Sequence, residues 1–155
     1  MQLVTFRVGR ERYGLDIMAI QEIIIPEEIT TLPNLPDFIE GIVNLRGSIF
    51  PIVDMRKRFK TADPDPAGRV LITEVEGSPI GLRVDGVDRV IRVDEESMRR
   101  PPAVLAGLGA RFVRAVCETP RGLILMLDLG KLLDSGEVTA LATSGVGGTA
   151  DGRAG

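Results

Sequence analysis

Ile49-Phe50-Pro51-Ile52-Val53-Asp54-Met55 and Leu123-Ile124-Leu125-Met126-Leu127-Asp128-Leu129 share one pattern: a strand-length apolar run, an aspartate, then an apolar helical turn. The offset between them is 74 residues (128 − 54), and the segments upstream match as well. Residues 3–25 lie without gaps on residues 70–92 at an offset of 67 (70 − 3), pairing Val8 with Val75, Gly14 with Gly81, Leu15 with Leu82 and Ile24 with Ile91. Both members are apolar in 9 of these 23 pairs, where composition alone gives roughly four or five. The order of elements agrees too, so the chain reads as an internal repeat of two small β units, at about 1–60 and 69–134. Residues 61–68, with Asp63-Pro64-Asp65-Pro66 at their centre, read as the linker between them. Each unit is too short to bury a large core alone, so the halves are expected to pack on one another, with exchange of a strand between them left open.

Strand periodicity runs through both units. Val4, Phe6 and Val8 alternate onto one face, and Tyr13-Gly14-Leu15-Asp16 follows the Gly9-Arg10-Glu11 turn. Further strand-like segments stand at 21–25, 42–45, 49–53, 70–75, 80–84, 87–93, 112–118 and 123–127, separated by turns such as Arg46-Gly47-Ser48, Glu76-Gly77-Ser78 and Asp85-Gly86. The expected class is all-β, a barrel or sandwich. Helix is confined to short pieces after Asp54 and Asp128, whose carboxylates are suited to accept from the orphan N–H groups of a first turn. Residues 135–141 could add a frayed helix. The glycine- and alanine-rich end, 143–155, has almost nothing to bury and reads as a flexible tail.

Composition removes whole classes of function. The 155 residues include no histidine, no tryptophan and one cysteine, Cys117. Imidazole general bases, serine-histidine triads and histidine metal sites are therefore excluded, as are an intramolecular disulfide and a zinc-cysteine cluster. A net charge of −3 and a pI near 5.1 speak against a nucleic-acid partner. The basic runs Arg56-Lys57-Arg58 and Arg99-Arg100 are short and lack interleaved stacking aromatics. No apolar run reaches the roughly 18 residues of a membrane span, and the first residues do not resemble a signal peptide, so a cytoplasmic protein is expected. No cofactor or metal is expected. Asp16, Asp54, Asp85 and Asp128 each follow a strand, where capping is the commoner role of an aspartate, and Cys117 lies in an apolar strand as a core residue.

Three segments are apolar on both strand faces: Ile23-Ile24-Ile25, 49–53 and 123–127. One face fills a barrel and the other must be covered by the sister unit or by another protein, which raises the case for an interaction module. Against this background Glu22, between Ile20 and Ile23, and Arg46, in the turn after Asn44-Leu45, stand out as a candidate ion pair. The pair reads equally as a salt bridge of the barrel rim or as a binding contact, since a planar guanidinium beside an apolar groove is a favourable anchor for a partner.

Several motifs together resemble the CheW family of chemotaxis adaptors. They are Tyr13-Gly14-Leu15-Asp16-Ile17, Gln21-Glu22-Ile23-Ile24, the block from Pro36 through Asn44-Leu45-Arg46-Gly47, Pro51-Ile52-Val53-Asp54 with Arg56 and Phe59, and Gly81-Leu82-Arg83-Val84-Asp85-Gly86-Val87. The resemblance covers about residues 3–133 and implies two small five-stranded, SH3-like barrels packed together with a hydrophobic groove between them. It implies a non-enzymatic coupler joining the cytoplasmic tip of methyl-accepting chemoreceptors to the regulatory domain of the histidine kinase CheA. Other CheW-like subunits are further partners in an array, and the chain itself inserts in no membrane. Carried over by motif, Glu22 and Arg46 form the rim of the receptor groove, with Ile20, Asn44, Gly47, Val70 and Gly81 near the receptor helix. No single kinase-contact residue follows from the motifs. Ser48, Ala115 and Gly130 depart from the family pattern, and flagellar use is not separated from other motility systems.

Overall fold

The computed structural model describes residues 1–26, 28–59, 68–102 and 112–132. The flexible tail expected at 143–155, the frayed helix expected at 135–141 and all of the expected linker except Gly68 lie outside the described residues. In chain order the elements are β1 (Gln2–Val8), β2 (Glu11–Asp16), β3 (Ile20–Ile24), β4 (Ile39–Leu45), β5 (Ser48–Asp54), α1 (Met55–Phe59), β6 (Arg69–Val75), β7 (Ser78–Val84), β8 (Gly86–Arg92), β9 (Met98–Arg99), β10 (Val113–Thr119), β11 (Gly122–Leu127) and α2 (Leu129–Leu132). The all-β expectation holds. The two-residue β9 and the 3-10 turns Ile17–Ala19 and Glu95–Ser97 were not legible, being too short to carry a period.

The strands form two sheets, ordered β8-β1-β2-β11-β10-β9 and β3-β6-β7-β5-β4. Neither sheet coincides with one repeat. β1 and β2 from the first half join β8 to β11, while β6 and β7 from the second half join β3 to β5. The repeat is nonetheless kept in this interleaved form. β2 runs parallel to β11 with Gly14 opposite Met126, and β7 runs parallel to β5 with Gly81 opposite Ile52. Bulges recur at matching places: Glu40 is the extra residue of β4 and Arg114 that of β10. Gln21 is extra in β3, and β8 has an extra residue between Val87 and Val90. Such insertions bend and twist a strand, which a small curled sheet requires.

Interleaving explains the two-faced strands. Phe50 and Ile52 of β5 fill a cluster with Val43, Val70 and Ile72 within one sheet, while Val53 points into a larger cluster drawn from both sheets. On β11, Ile124 and Met126 fill the equivalent cluster of the other sheet, and Leu127 joins the shared one. Both faces of β5 are therefore covered from within, and β11 leaves only Leu123 well exposed. Of the three segments expected to seek outside cover, the run at Ile23-Ile24-Ile25 is the one that exposes two large side chains, Ile23 and Ile25.

The shared core holds most of the aromatic surface. Phe6, Tyr13, Phe59 and Phe112 form a chain of ring contacts with centroids 6.1, 4.9 and 5.7 Å apart in turn. The buried Arg58 closes it: its guanidinium lies 4.3 Å from the Phe38 ring centroid and 4.8 Å from that of Phe112, and Nε donates to the Leu132 carbonyl at 2.7 Å. Phe38 and Phe112 are repeat equivalents, so one cation bridges both units. Three of the four aspartates expected to cap do so locally, and Asp85 instead ties distant segments together. Asp16, Asp54 and Asp128 accept from the backbone N–H of Met18, Arg56 and Gly130 at 2.9, 3.0 and 3.0 Å. Asp85 accepts from the Gly9 N–H at 2.6 Å and pairs with Arg56.

Arg58→Ala removes both ring contacts and a charge-assisted hydrogen bond, and is expected to lower unfolding free energy by about 2–4 kcal/mol in urea titrations. Tyr13 is the one tyrosine of the chain. Burial, and then the Glu11 carboxylate, pushes its pKa up to about 12 from the ordinary 10.0. Stability from keeping the phenol neutral is complete below pH 10.0 and is lost as pH rises to about 12. Tyrosinate absorbance of the native protein is expected to titrate near that upper value, and Tyr13→Phe to abolish this part of the alkaline loss of stability.

Candidate functional site

The rim is built on a hairpin and an edge strand. Between β4 and β5, Arg46 and Gly47 both have positive φ, 51° and 84°. That is the mirror-image two-residue turn whose twist suits antiparallel strands. Asn44 secures it by accepting the Gly47 N–H on Oδ1 at 3.1 Å. An arginine in the left-handed region is uncommon, since asparagine and glycine occupy it with less strain. Glu76 and Gly77 repeat the same geometry at φ 50° and 82°, so the turn alone does not mark a site. Arg46 also makes an ion pair: its Nη2 donates to Glu22 Oε1 across the gap between the hairpin tip and β3. The hydrogen bond to Glu22, and then its negative charge, raises the Arg46 pKa above its ordinary value. Both side chains remain open to solvent, at 67% exposure for Arg46 and 36% for Glu22.

The bulge at Gln21 decides which residues accompany Glu22. Ile20 stands opposite Thr73 and Ile23 opposite Leu71, whereas Glu22 faces Ile72 and Ile24 faces Val70. Directly opposed residues share a sheet face. Ile20 and Ile23 therefore lie on the side of the shared core, with Glu22 and Ile24 on the other. A strict alternation puts Ile20 and Glu22 together, and the extra residue separates them.

Glu22, Asn44, Arg46 and Gly47 are brought together as expected, and Ile20 is half-buried nearby on the same strand. Val70 and Gly81 are not at the surface. Val70 is 1% exposed inside the cluster with Phe50 and Ile52. Gly81 is buried where an added Cβ would lie 2.5 Å from Ile52 Cδ1 and 2.8 Å from Val70 Cγ1. Both sit in the close packing of β7 against β5 and β6. Met18 and Ile25 flank β3 at 86% and 65% exposure. Ile25 belongs to the two-faced apolar run singled out in the sequence, whereas Met18 carried no such signal.

Among the described residues no three histidine, cysteine, aspartate or glutamate side chains group as metal ligands, and no helix is long and apolar enough to cross a membrane. The arrangement is a small two-sheet scaffold that carries an exposed ion pair on a tight hairpin. A profile of the CheW-like domain matches residues 2–137. The chain belongs to that family. A chemotaxis protein CheW of Treponema pallidum is 37% identical over 147 residues, covering 91% of this chain and 86% of that protein. One from Klebsiella aerogenes is 32% identical over 139 residues, covering 88% and 84%. The crystal structure of the scaffolding protein TtCheW from Thermoanaerobacter tengcongensis superposes with a TM-score of 0.81 at 38% identity, covering 88% of this chain and 94% of that one.

Arg46→Asn suits the left-handed turn position and deletes the guanidinium, so the melting temperature is expected to stay at the wild-type value. Gly81→Ala forces a methyl group against Ile52 and Val70 and is expected to cost about 1–3 kcal/mol. Thermal melts of the two variants separate rim from core.

Proposed function

We propose that this chain is a non-enzymatic adaptor that couples the cytoplasmic tip of a methyl-accepting chemoreceptor to the regulatory domain of the histidine kinase CheA. The Glu22–Arg46 pair carries this reading. It is a solvent-exposed, hairpin-mounted guanidinium that reaches across to β3, the edge strand where Ile23 and Ile25 are exposed, in a chain of the CheW-like family. An amphipathic receptor hairpin lays its apolar stripe along that edge, following the helix-in-groove mode, and Arg46 fixes register by exchanging or sharing its carboxylate partner. The exposed pair adds little to folding, so its geometry is free to serve recognition. Kinase and further adaptor subunits bind elsewhere on the two sheets, and weak individual contacts gain strength by repetition in an array. The protein then works in the cytoplasm, held near the membrane only through its partners.

Arg46→Glu places two carboxylates side by side at the rim. It is expected to weaken binding to a receptor-tip fragment by about tenfold or more while the kinase regulatory domain still binds. Combining it with Glu22→Arg restores an opposite-charge pair and part of the affinity. Wild-type receptor binding by folded Arg46→Glu refutes the assignment. Nuclease-treated co-purification with mass spectrometry identifies the receptor and, through it, the motility system.

A further inference from the structure

The repeat relates surfaces as well as strands. At the offsets of 67 and 74, Glu22 falls on Arg89, Asn44 on Glu118, Arg46 on Pro120 and Gly47 on Arg121. The rim of one sheet thus has a counterpart on the other, and that counterpart borders a cleft of about 370 Å³. Arg89 sits in the β8 bulge opposite Thr5, whose Oγ1 donates to the Arg89 carbonyl at 2.8 Å and accepts its N–H at 3.2 Å, so the backbone there is fixed.

The chemistry of the cleft differs from that of the rim. Arg89, Arg92 and Arg121 line it, and among the described residues none of the three guanidinium groups is paired with a carboxylate. Two acids, Asp94 and Glu118, also border it, but Glu118 lies 3.5 Å from Arg99 and is matched there. Ile91, Val93 and Pro120 supply an apolar wall. A chain of net charge −3 that leaves three arginines unpaired around one concavity presents a local anion site against an acidic background.

We propose that this cleft is a second docking site, which takes an acidic segment of a partner protein. Glutamate or aspartate carboxylates meet the guanidinium groups, and an intervening aliphatic side chain packs on Ile91, Val93 and Pro120. The volume suits two or three side chains, at the small end of ligand sites. Nucleic acid and anionic membrane need a broad basic face, which a net-acidic chain does not offer, and neither exploits the apolar wall. Arg89 in place of Glu22 reverses the charge at equivalent positions, so a partner matched to one surface is rejected by the other. The inference does not depend on what binds at Arg46.

The test uses the full chain and a fluorescein-labelled peptide of alternating glutamate and leucine, followed by anisotropy, with a lysine-leucine peptide as control. Saturable, salt-sensitive binding of the acidic peptide alone is expected, with amide NMR shifts confined to residues 89–94 and 118–122. Arg89→Glu with Arg121→Glu is expected to weaken it at least about tenfold, and Arg46→Glu to leave it unchanged. Arg89→Gln with Arg121→Gln, which removes charge without reversing it, gives a smaller loss in the same direction. Equal binding of the lysine peptide overturns the proposal, as does wild-type affinity in folded cleft variants. So does cleft-dependent binding of phosphatidylserine vesicles or single-stranded DNA without binding of the peptide.

Discussion

Four strand pairings hold the molecule together, β1 with β8, β3 with β6 and the short parallel pairs β2 with β11 and β5 with β7, because each joins a strand of one repeat to a strand of the other. Gly14 and Gly81 stand at the matched points of closest approach, and a side chain at either would press on the sheet core. Everything else follows from this crossing. The sheets share strands, so the largest apolar cluster lies between them instead of within either one. The strands adjoining the crossing are buried on both sides, which is why β5 and β11 read as continuous apolar runs.

The division of charged residues follows the same geometry. Arg58 lies inside, against Phe38 and Phe112 from the two repeats, and Asp85 gathers the β1–β2 turn and α1 through Gly9 and Arg56. A buried ion left without its partners is costly, so these positions are bound to structure. Glu22 and Arg46 are mounted outside on a hairpin and an edge strand, where their loss costs the fold little. Charge inside sets how the repeats meet, and charge outside is available for partners.

Strand positions were legible because alternation at Val4, Phe6 and Val8, or at Val70 and Ile72, depends only on local period. The repeat was legible because its offsets are constant over long stretches. Which strands share a sheet was not: the units are alike, so β6 and β7 complement β3 as well as β1 and β2 do, and no local pattern distinguishes the two pairings. Parity at Gln21 was equally hidden, since a single extra residue leaves the apolar pattern intact while turning Ile20 away from Glu22. Arg46 announced itself as a charge among apolar neighbours. Val70 and Gly81 came with the family motif, and a motif preserves core spacing as readily as contact surface.

The crossing also fixes an order of events during synthesis. Among the described strands, β1 and β2 leave the ribosome ahead of the others, yet β11, the parallel partner of β2, follows all of them, and β8, the other neighbour of β1, comes three strands before it. Early hairpins must persist with unpaired edges while their partners are made, and long-range pairing of this kind closes slowly. The sheet of β3 to β7 can close while the other still waits. The two sheets, symmetric in space, are therefore unequal in time, and of the described strands the β1–β2 hairpin waits longest for its partners.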